Sequence, residues 1–394
     1  MFRTTVIAIT GSVGKTTAKE CLAAILAAHG QTEKTRNNQN DEAGVARTVR
    51  AFRPWHRFAV VEVAGGKLGH VRRASRLLKP DLVIVLSVAR THTDVFRTLD
   101  DTAREKAQLL THLKRGGIAL LNGDDERVRP MAVNCRGKVV WFGQGRDCNI
   151  VAADVRAIWP ARLQFTARSG SDCQQVRTQL VGTHWAVSAL AALAAAQACG
   201  IPLAAAAARL SLVSPAAGRM QPVNLPCGAV AIRDEENGSP DTLEAMLKVL
   251  REAECGRKIL VFSDVSDSSA KPRRRLRDMG QLAAEFVQLA VFVGEHSHHA
   301  VRGAVDAGMD PAHCHSVIRV AQAADWLRQE ARAGDLIFVK GRATDHLSRI
   351  VFSQFGQIGC WQSRCRIQPV CDLCAKLMPS FDLPQALAVP APPG

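Results

Sequence analysis

The chain contains no tyrosine in 394 residues, and its aromatic content is only 5%. No position that calls for a phenol can therefore keep one. It also lacks any apolar run of the roughly 18 to 20 residues that a membrane-spanning helix needs. The nearest approach, the Ala-rich residues 187–201, is too short and reads as a buried helix. The N-terminus has no signal-peptide pattern and passes directly into a strand-like run, TTVIAI. A cytoplasmic protein is expected. Acidic residues are scarce beside basic ones: 36 Asp and Glu stand against 51 Lys and Arg, a formal net charge of +15. Such a charge suits an anionic substrate, a nucleic acid or a membrane surface. The arginines are dispersed, which favours a solvated basic surface over a nucleic-acid partner. The twelve cysteines lie mostly singly, a pattern that suits reduced thiols better than a disulfide framework. No internal repeat is present.

What the chain does contain begins with ITGSVGKTTAKE, residues 9–20. An apolar, β-branched run precedes this stretch and a helix-like run follows it, the strand, Gly-rich turn and helix of a phosphate-binding loop. Gly11 and Gly14 let backbone N–H groups point at phosphate oxygens, with Ser12 and Val13 between them, and the helix after them adds its positive dipole end. Lys15 would reach the outer phosphates, Thr16 would ligate Mg2+, and Thr17 continues the motif. Ile9 stands where the longer G-x-x-x-x-G-K-[ST] pattern has its first glycine, so the motif is the shorter T-G-x-x-G-K-T.

Four apolar runs, VIAI, FAVVEV, DLVIVLSV and GIALLN, alternate with helical segments up to about residue 125, as in βαβ units around a parallel sheet. From residue 138 to 182 shorter alternating pieces predict a small appended antiparallel sheet. Pro and Gly in LVSPAAGRMQPV mark a linker. A second alternating set, AVAIRD, KILVFSD, LAVFVG and DLIFVKG, predicts a smaller parallel-sheet domain. The expected fold class is α/β: a P-loop-type parallel-sheet ATPase domain with a small antiparallel insertion over 1–217, then a smaller Rossmann-like α/β domain over 218–356. A Cys-containing tail fills 357–394, its Pro/Ala-rich end expected to be disordered.

Several stretches together resemble one family. They are GSVGKTTAKE, TRNNQNDEAGVART from Thr35, VVEVAGGKLG with Glu62 and Gly69, THTDVF with His92, and GGIALLNGDDE; weaker matches follow in GTHWAVSALAA, GRM, RDEENGSPDT and VKGRATD. In order, over residues 5 to 355, this set resembles the Mur ligases, ATP-dependent amide ligases, and within them the MurF branch. The resemblance implies transfer of the ATP γ-phosphoryl group to a substrate carboxylate and attack of an amine on the acyl phosphate. Such chemistry needs Mg2+ and neutralised phosphates.

The resemblance also implies roles. Lys15, His92, Lys106 and Asp234 are expected to be catalytic. Thr16, Glu62 and His92 are expected to hold Mg2+, with Lys106 joining them as a carbamate. Asn122, Asp124, His184, Arg219 and Asn237 are expected around the nucleotide, and Lys340 and Gly341 match a C-terminal K-G. Substrates are expected to be a small carboxylate and an amine or amino acid.

Departures from the family pattern bear on substrate. Trp185 and Ser188 replace both asparagines of G-x-H-N-x-x-N, Glu236 replaces a tyrosine, and Arg342 and Ala343 follow Lys340 and Gly341 where the family has S-R. The P-loop lies so near residue 1 that the N-terminal domain with which MurF grips a UDP-sugar is expected to be missing. A smaller carboxylate donor, a true MurF reaction and a non-catalytic nucleotide-binding homologue all remain open on sequence.

In the tail, Cys360, Cys365, Cys371 and Cys374 fall as C-x4-C-x5-C-x2-C. Zn2+ held by four sulfurs, an iron–sulfur cluster and unligated thiols are the alternatives. The tail could also serve as an adaptor for a partner protein.

Overall fold

The computed structural model describes residues 4–90, 95–266, 268, 270–362, 365 and 370–388. It divides into two compact units. The first comprises residues 1–157, 162–179 and 183–213; the second comprises 158–161, 180–182 and 214–394. No helix among the described residues is long and apolar enough to cross a membrane.

The first unit is built on one nine-stranded sheet. Its strands are β1 (Thr5–Thr10), β2 (Thr32–Lys34), β3 (Phe58–Glu62), β4 (Leu82–Val85), β5 (Ile118–Asn122), β6 (Lys138–Gly143), β7 (Ile150–Arg156), β8 (Gln164–Ser169) and β9 (Asp172–Arg177), in the order 2-3-1-4-5-6-7-8-9. Pairing is parallel from β2 through β7 and antiparallel between β7, β8 and β9. Parallel strands covered on both faces need apolar residues throughout, and β1, β3, β4 and β5 supply them: all but Thr5 and Ile118 of their residues are buried. The strand order reverses beside β1, so the loop after β1 opens at the crevice where open α/β sheets bind ligands.

The antiparallel piece expected to be appended over residues 138–182 is the far edge of this same sheet, and within it β6 and β7 still pair in parallel. The connection from β5 runs through a short helical turn, Arg129–Asn134, and brings β6 in parallel to β5. Only the hairpin β8–β9, turning at Gly170 with φ +59°, has the short connection that reverses direction.

The second unit carries a six-stranded sheet of β10 (Gln221–Asn224), β11 (Val230–Asp234), β12 (Lys258–Phe262), β13 (Leu289–Val293), β14 (Cys314–Val317) and β15 (Leu336–Lys340), ordered 10-11-15-12-13-14. Only the edge pair β10–β11 is antiparallel.

The described part of the tail packs into this unit. Cys371, Leu377, Leu383 and Leu387 join Phe352, Ile358 and the strand residues of one apolar cluster. Arg233, fully buried on β11, donates two hydrogen bonds to the carboxylate of Asp372, at 2.8 and 2.9 Å, and pairs with Glu235 at 2.6 Å. With these residues buried in its own unit, the described tail lends no support to the adaptor role expected from sequence. The Pro/Ala-rich end, residues 389–394, lies outside the described residues.

Candidate active site

The phosphate-binding loop follows β1. Gly11 has φ +157° and Gly14 has φ +86°. Gly14 ends the loop in the left-handed region, and a Cβ there would stand 2.5 Å from the Ser188 hydroxyl oxygen, so glycine is required twice over. It caps the helix Lys15–Ala27, whose N-terminus carries no side-chain cap. The first-turn N–H groups of that helix thus keep their capacity for an anion. The Lys15 ammonium donates to the carbonyls of Gly11 (2.7 Å) and Ser12 (3.1 Å), which folds it over the loop. Ser12 and Val13 are tied to residues 87–89 after β4: the N–H of Ser12 reaches the Ser87 carbonyl, and the N–H of Val13 the Ser87 hydroxyl.

Glu62 ends β3 beside β1 and is 1% exposed. Its carboxylate accepts from the Thr16 hydroxyl, 3.1 Å from both oxygens, and from the Asn40 amide at 2.7 Å. Thr17 is buried on the same helix turn. The Thr16 hydroxyl and the Glu62 carboxylate, side by side, are hard oxygen donors of the kind that suits Mg2+.

Lys106, on the helix Leu99–Ala107, is 3% exposed. Burial pushes its ammonium well below the usual lysine range, and the nearby charge of Lys15 lowers it further. The loop lysine and the lysine expected to carry a carbamate are therefore near enough to repel each other, and Lys106 lies in surroundings that favour a neutral amine. His92 lies outside the described residues.

Asn122 and Asp124 are spent on backbone. The Asn122 amide donates to the Leu86 carbonyl (2.7 Å), and Asp124 accepts from the N–H groups of Gln144 and Gly145. They brace the ends of β4, β5 and β6. The His184 ring meets that of the buried Trp185 at a tilt of 48°, with centroids 4.5 Å apart. Ser188, one of the departures from the family pattern, donates its hydroxyl to the Gly14 carbonyl at 3.1 Å and so touches the phosphate loop directly.

In the second unit, Asp234 at the end of β11 and Lys340 at the end of the adjacent β15 form a buried ion pair of 2.6 Å. Lys340 also donates to the Asn237 carbonyl (2.7 Å) and the Thr242 hydroxyl (3.0 Å). Asp234 accepts from the N–H of Met220, next to Arg219. Asn237 uses its side chain to accept from the N–H of Ser239, opening the helix Pro240–Glu252. Glu236, where the family has tyrosine, is pushed up to about 7 by burial and by the neighbouring Glu235, against the pull of Arg219.

Three residues escaped the sequence reading. Lys19, fully buried, donates to the carbonyls of Thr35 and Asn37 and lies 3.6 Å from Glu62. A lysine one turn after the loop, on the face of a helix that must be buried, was its signal. Glu105 accepts from the N–H groups of Gly69 and Val71, at 2.9 Å each. Arg233 had no signal beyond its place in a buried strand. The four tail cysteines form no assembled metal centre: among the described residues no group of three or more His, Cys, Asp or Glu side chains stands ready to hold an ion.

Comparison with known proteins agrees with this arrangement. The Mur ligase middle domain matches residues 9–196, and the Mur ligase glutamate ligase domain matches residues 218–343. The chain belongs to the Mur ligase family. Among curated relatives, the UDP-N-acetylmuramoyl-tripeptide–D-alanyl-D-alanine ligase of Escherichia coli K12 is 28% identical over 296 residues, covering 74% of this chain and 65% of its own length. The Mycobacterium bovis enzyme of the same name is 29% identical over 356 residues, covering 85% and 70%. The chain thus spans about two thirds of the length of the curated relatives it matches. Among solved structures, MurF from Acinetobacter baumannii superposes with a TM-score of 0.79 at 25% identity, covering 86% of this chain and 74% of that one. MurF from Thermotoga maritima in complex with ADP shares the fold, with a TM-score of 0.75 at 19% identity and coverage of 89% and 79%.

Proposed function

We propose that this Mur ligase family chain is a cytoplasmic ATP-dependent carbon–nitrogen ligase that joins a carboxylate to an amine through an acyl phosphate. The observation that carries this is the convergence of Thr16, Asn40 and Lys19 on the buried carboxylate of Glu62, directly beside the phosphate loop. The loop N–H groups and Lys15 bind and orient the ATP phosphates, and Lys15 leaves the carbonyls of Gly11 and Ser12 to do so. Thr16 and Glu62 would hold Mg2+, which supplies neutralisation of phosphate charge. The substrate carboxylate takes the γ-phosphoryl group, releasing ADP. The amine then attacks the acyl carbon, the amide forms, and phosphate leaves with a proton passing to solvent.

Lys106 is assigned as the site of carbamylation. A neutral amine adds CO2 to give a carbamate and a proton, and burial next to Lys15 favours that neutral amine. The product is an anion, which reverses the repulsion from Lys15. The polar centre of Asp234 and Lys340, with Arg219 and Glu236, is assigned to the amine substrate. Glu236 in place of tyrosine and Arg342 with Ala343 after Gly341 favour an amine other than the usual one.

The relatives' own reaction, addition of D-alanyl-D-alanine to the UDP-muramoyl-tripeptide, is the second reading, favoured by the names of the curated relatives. Hydroxylamine trapping separates the two. The chain is incubated with ATP, Mg2+ and hydroxylamine against UDP-muramoyl-tripeptide, free amino acids and oligoglutamate, and products are weighed by mass spectrometry. An ATP-dependent hydroxamate identifies the donor. Absence of any hydroxamate and of ADP release with all of them overturns the ligase assignment.

A further inference from the structure

Cys360, Cys365, Cys371 and Cys374 all line one cavity in the second unit, together with His346, Arg349, Gln362, Lys376 and Leu377. The cavity volume is about 10 Å³, room for roughly one water-sized occupant. None of the four cysteines is in a disulfide. An iron–sulfur cluster or an organic ligand needs far more space; a single ion does not.

Two buried side chains at this cavity lack what buried polar groups need. His346 is 8% exposed; its Nδ1 lies 3.3 Å from the Cys371 sulfur, and its Nε2 has no hydrogen-bond partner among the described residues. Arg349 is 1% exposed. It donates to the Gln362 carbonyl at 2.6 Å, but among the described residues no carboxylate pairs with it, and its Nε has no partner. A buried guanidinium without an anion is strongly unfavourable. The thiols are the groups in place to become that anion. The Cys371 sulfur lies beside His346 and lines the same cavity as Arg349.

We propose that the four tail cysteines bind one thiophilic divalent ion of the Zn2+ class, with His346 and Arg349 as outer partners of the sulfurs. Binding displaces four protons, one from each thiol, and leaves a complex of charge −2. Arg349 and Lys376 balance it, and His346 donates from Nδ1 to the Cys371 sulfur, as outer partners of metal ligands commonly do. Among the described residues no three donors yet surround a common point, so loading must draw the thiols inward by rotation about their Cα–Cβ bonds. The ion would tie Cys360 and Cys365 to the core that Cys371 and Leu377 already enter.

The test uses the full chain, purified without chelator and dialysed against metal-free buffer. Metal analysis is expected to find about one zinc per chain, released when a mercurial blocks the thiols. Refolding with Co2+ is expected to give an intense thiolate-to-metal absorption in the near ultraviolet. In the Cys360→Ser/Cys374→Ser variant both signals should fall to background, while Cys173→Ser, an exposed cysteine of the first unit, should keep them. Should the double variant fail to fold, the unaltered chain still decides. Zinc below a tenth of an equivalent with no cobalt band overturns the proposal, and so does stoichiometric iron with visible absorption. Ligase activity is not the readout, so its absence would leave this test intact.

Discussion

Thr16 and Glu62 meet across β1 and β3 with the threonine hydroxyl 3.1 Å from both carboxylate oxygens. One residue opens the helix after the phosphate loop and the other ends the neighbouring strand, so the parallel register of β1 and β3 sets their separation. Glu62→Gln keeps the shape and removes the charge. Its expected effect is a loss of turnover of about 10²-fold or more, with the Mg2+ concentration for half-maximal rate raised. Steady-state rates across a Mg2+ titration check both. An unchanged Mg2+ dependence would remove Glu62 from the metal site.

Lys19 stands behind that pair as its internal counter-ion. Replacing it with methionine leaves Glu62 buried with less compensation and frees the carbonyls of Thr35 and Asn37. The expected loss of stability is about 3 kcal/mol, read by denaturant unfolding. Hydrogen exchange over residues 35–40 should speed up before the rest of the first unit responds, because Lys19 is what fastens that segment to the helix.

Much of this was legible in the sequence. The phosphate loop, both parallel sheets and the carboxylate of Glu62 follow from apolar runs, glycine spacing and the family pattern. Lys19 was not, because a lysine on a helix is ordinarily solvated and only the tertiary fold buries it. The appended strands were legible, but the parallel pairing of β6 and β7 was not, because period-two patterning reports strands without saying in which direction they pair. The roles expected of Asn122 and Asp124 rested on resemblance, whereas the hydrogen bonds of both side chains to backbone groups have no sequence signal. Arg233 and Asp372, 139 residues apart, have no local pattern that would pair them, and their contact is why the tail belongs to its domain.

Lys106→Ala should abolish turnover while leaving ATP binding largely intact, since the phosphate loop does not depend on it. The sharper experiment keeps the lysine. Depleting bicarbonate from the assay at mildly acidic pH should lower the rate reversibly, and adding it back should restore the rate, in the unaltered chain alone. Intact-mass measurement under non-acidic conditions would show the adduct of one CO2. A rate indifferent to bicarbonate would speak against the carbamate.

Lys340 and Asp234 are coupled through a buried 2.6 Å contact. Lys340→Met strands the Asp234 carboxylate and should cost about 3–5 kcal/mol, whereas Lys340→Met with Asp234→Leu should recover a good part of it. Chemical denaturation of the single and double variants measures the coupling. Additive losses would mean that the pair does not act as a unit.

Glu236 gives the second unit a pH dependence of definite sign. Its carboxyl is pushed up from 4.5 to about 7, by burial first and by Glu235 second, with Arg219 and Arg233 opposing and Asp372 adding to the rise. Between those two values the folded chain holds a proton that the unfolded chain has lost, so this group lowers stability as pH rises from about 4.5 to about 7. Above 7 both states are ionised and the slope ends. Asp234 and Glu235 are also raised by burial and add slopes of the same sign, each held against a buried cation. Glu236→Gln removes one component only: the melting temperature of the variant should exceed that of the unaltered chain near pH 7.5 and approach it near pH 5. Parallel curves across that range would show that Glu236 ionises like an exposed carboxylate and that Arg219 has already neutralised its burial.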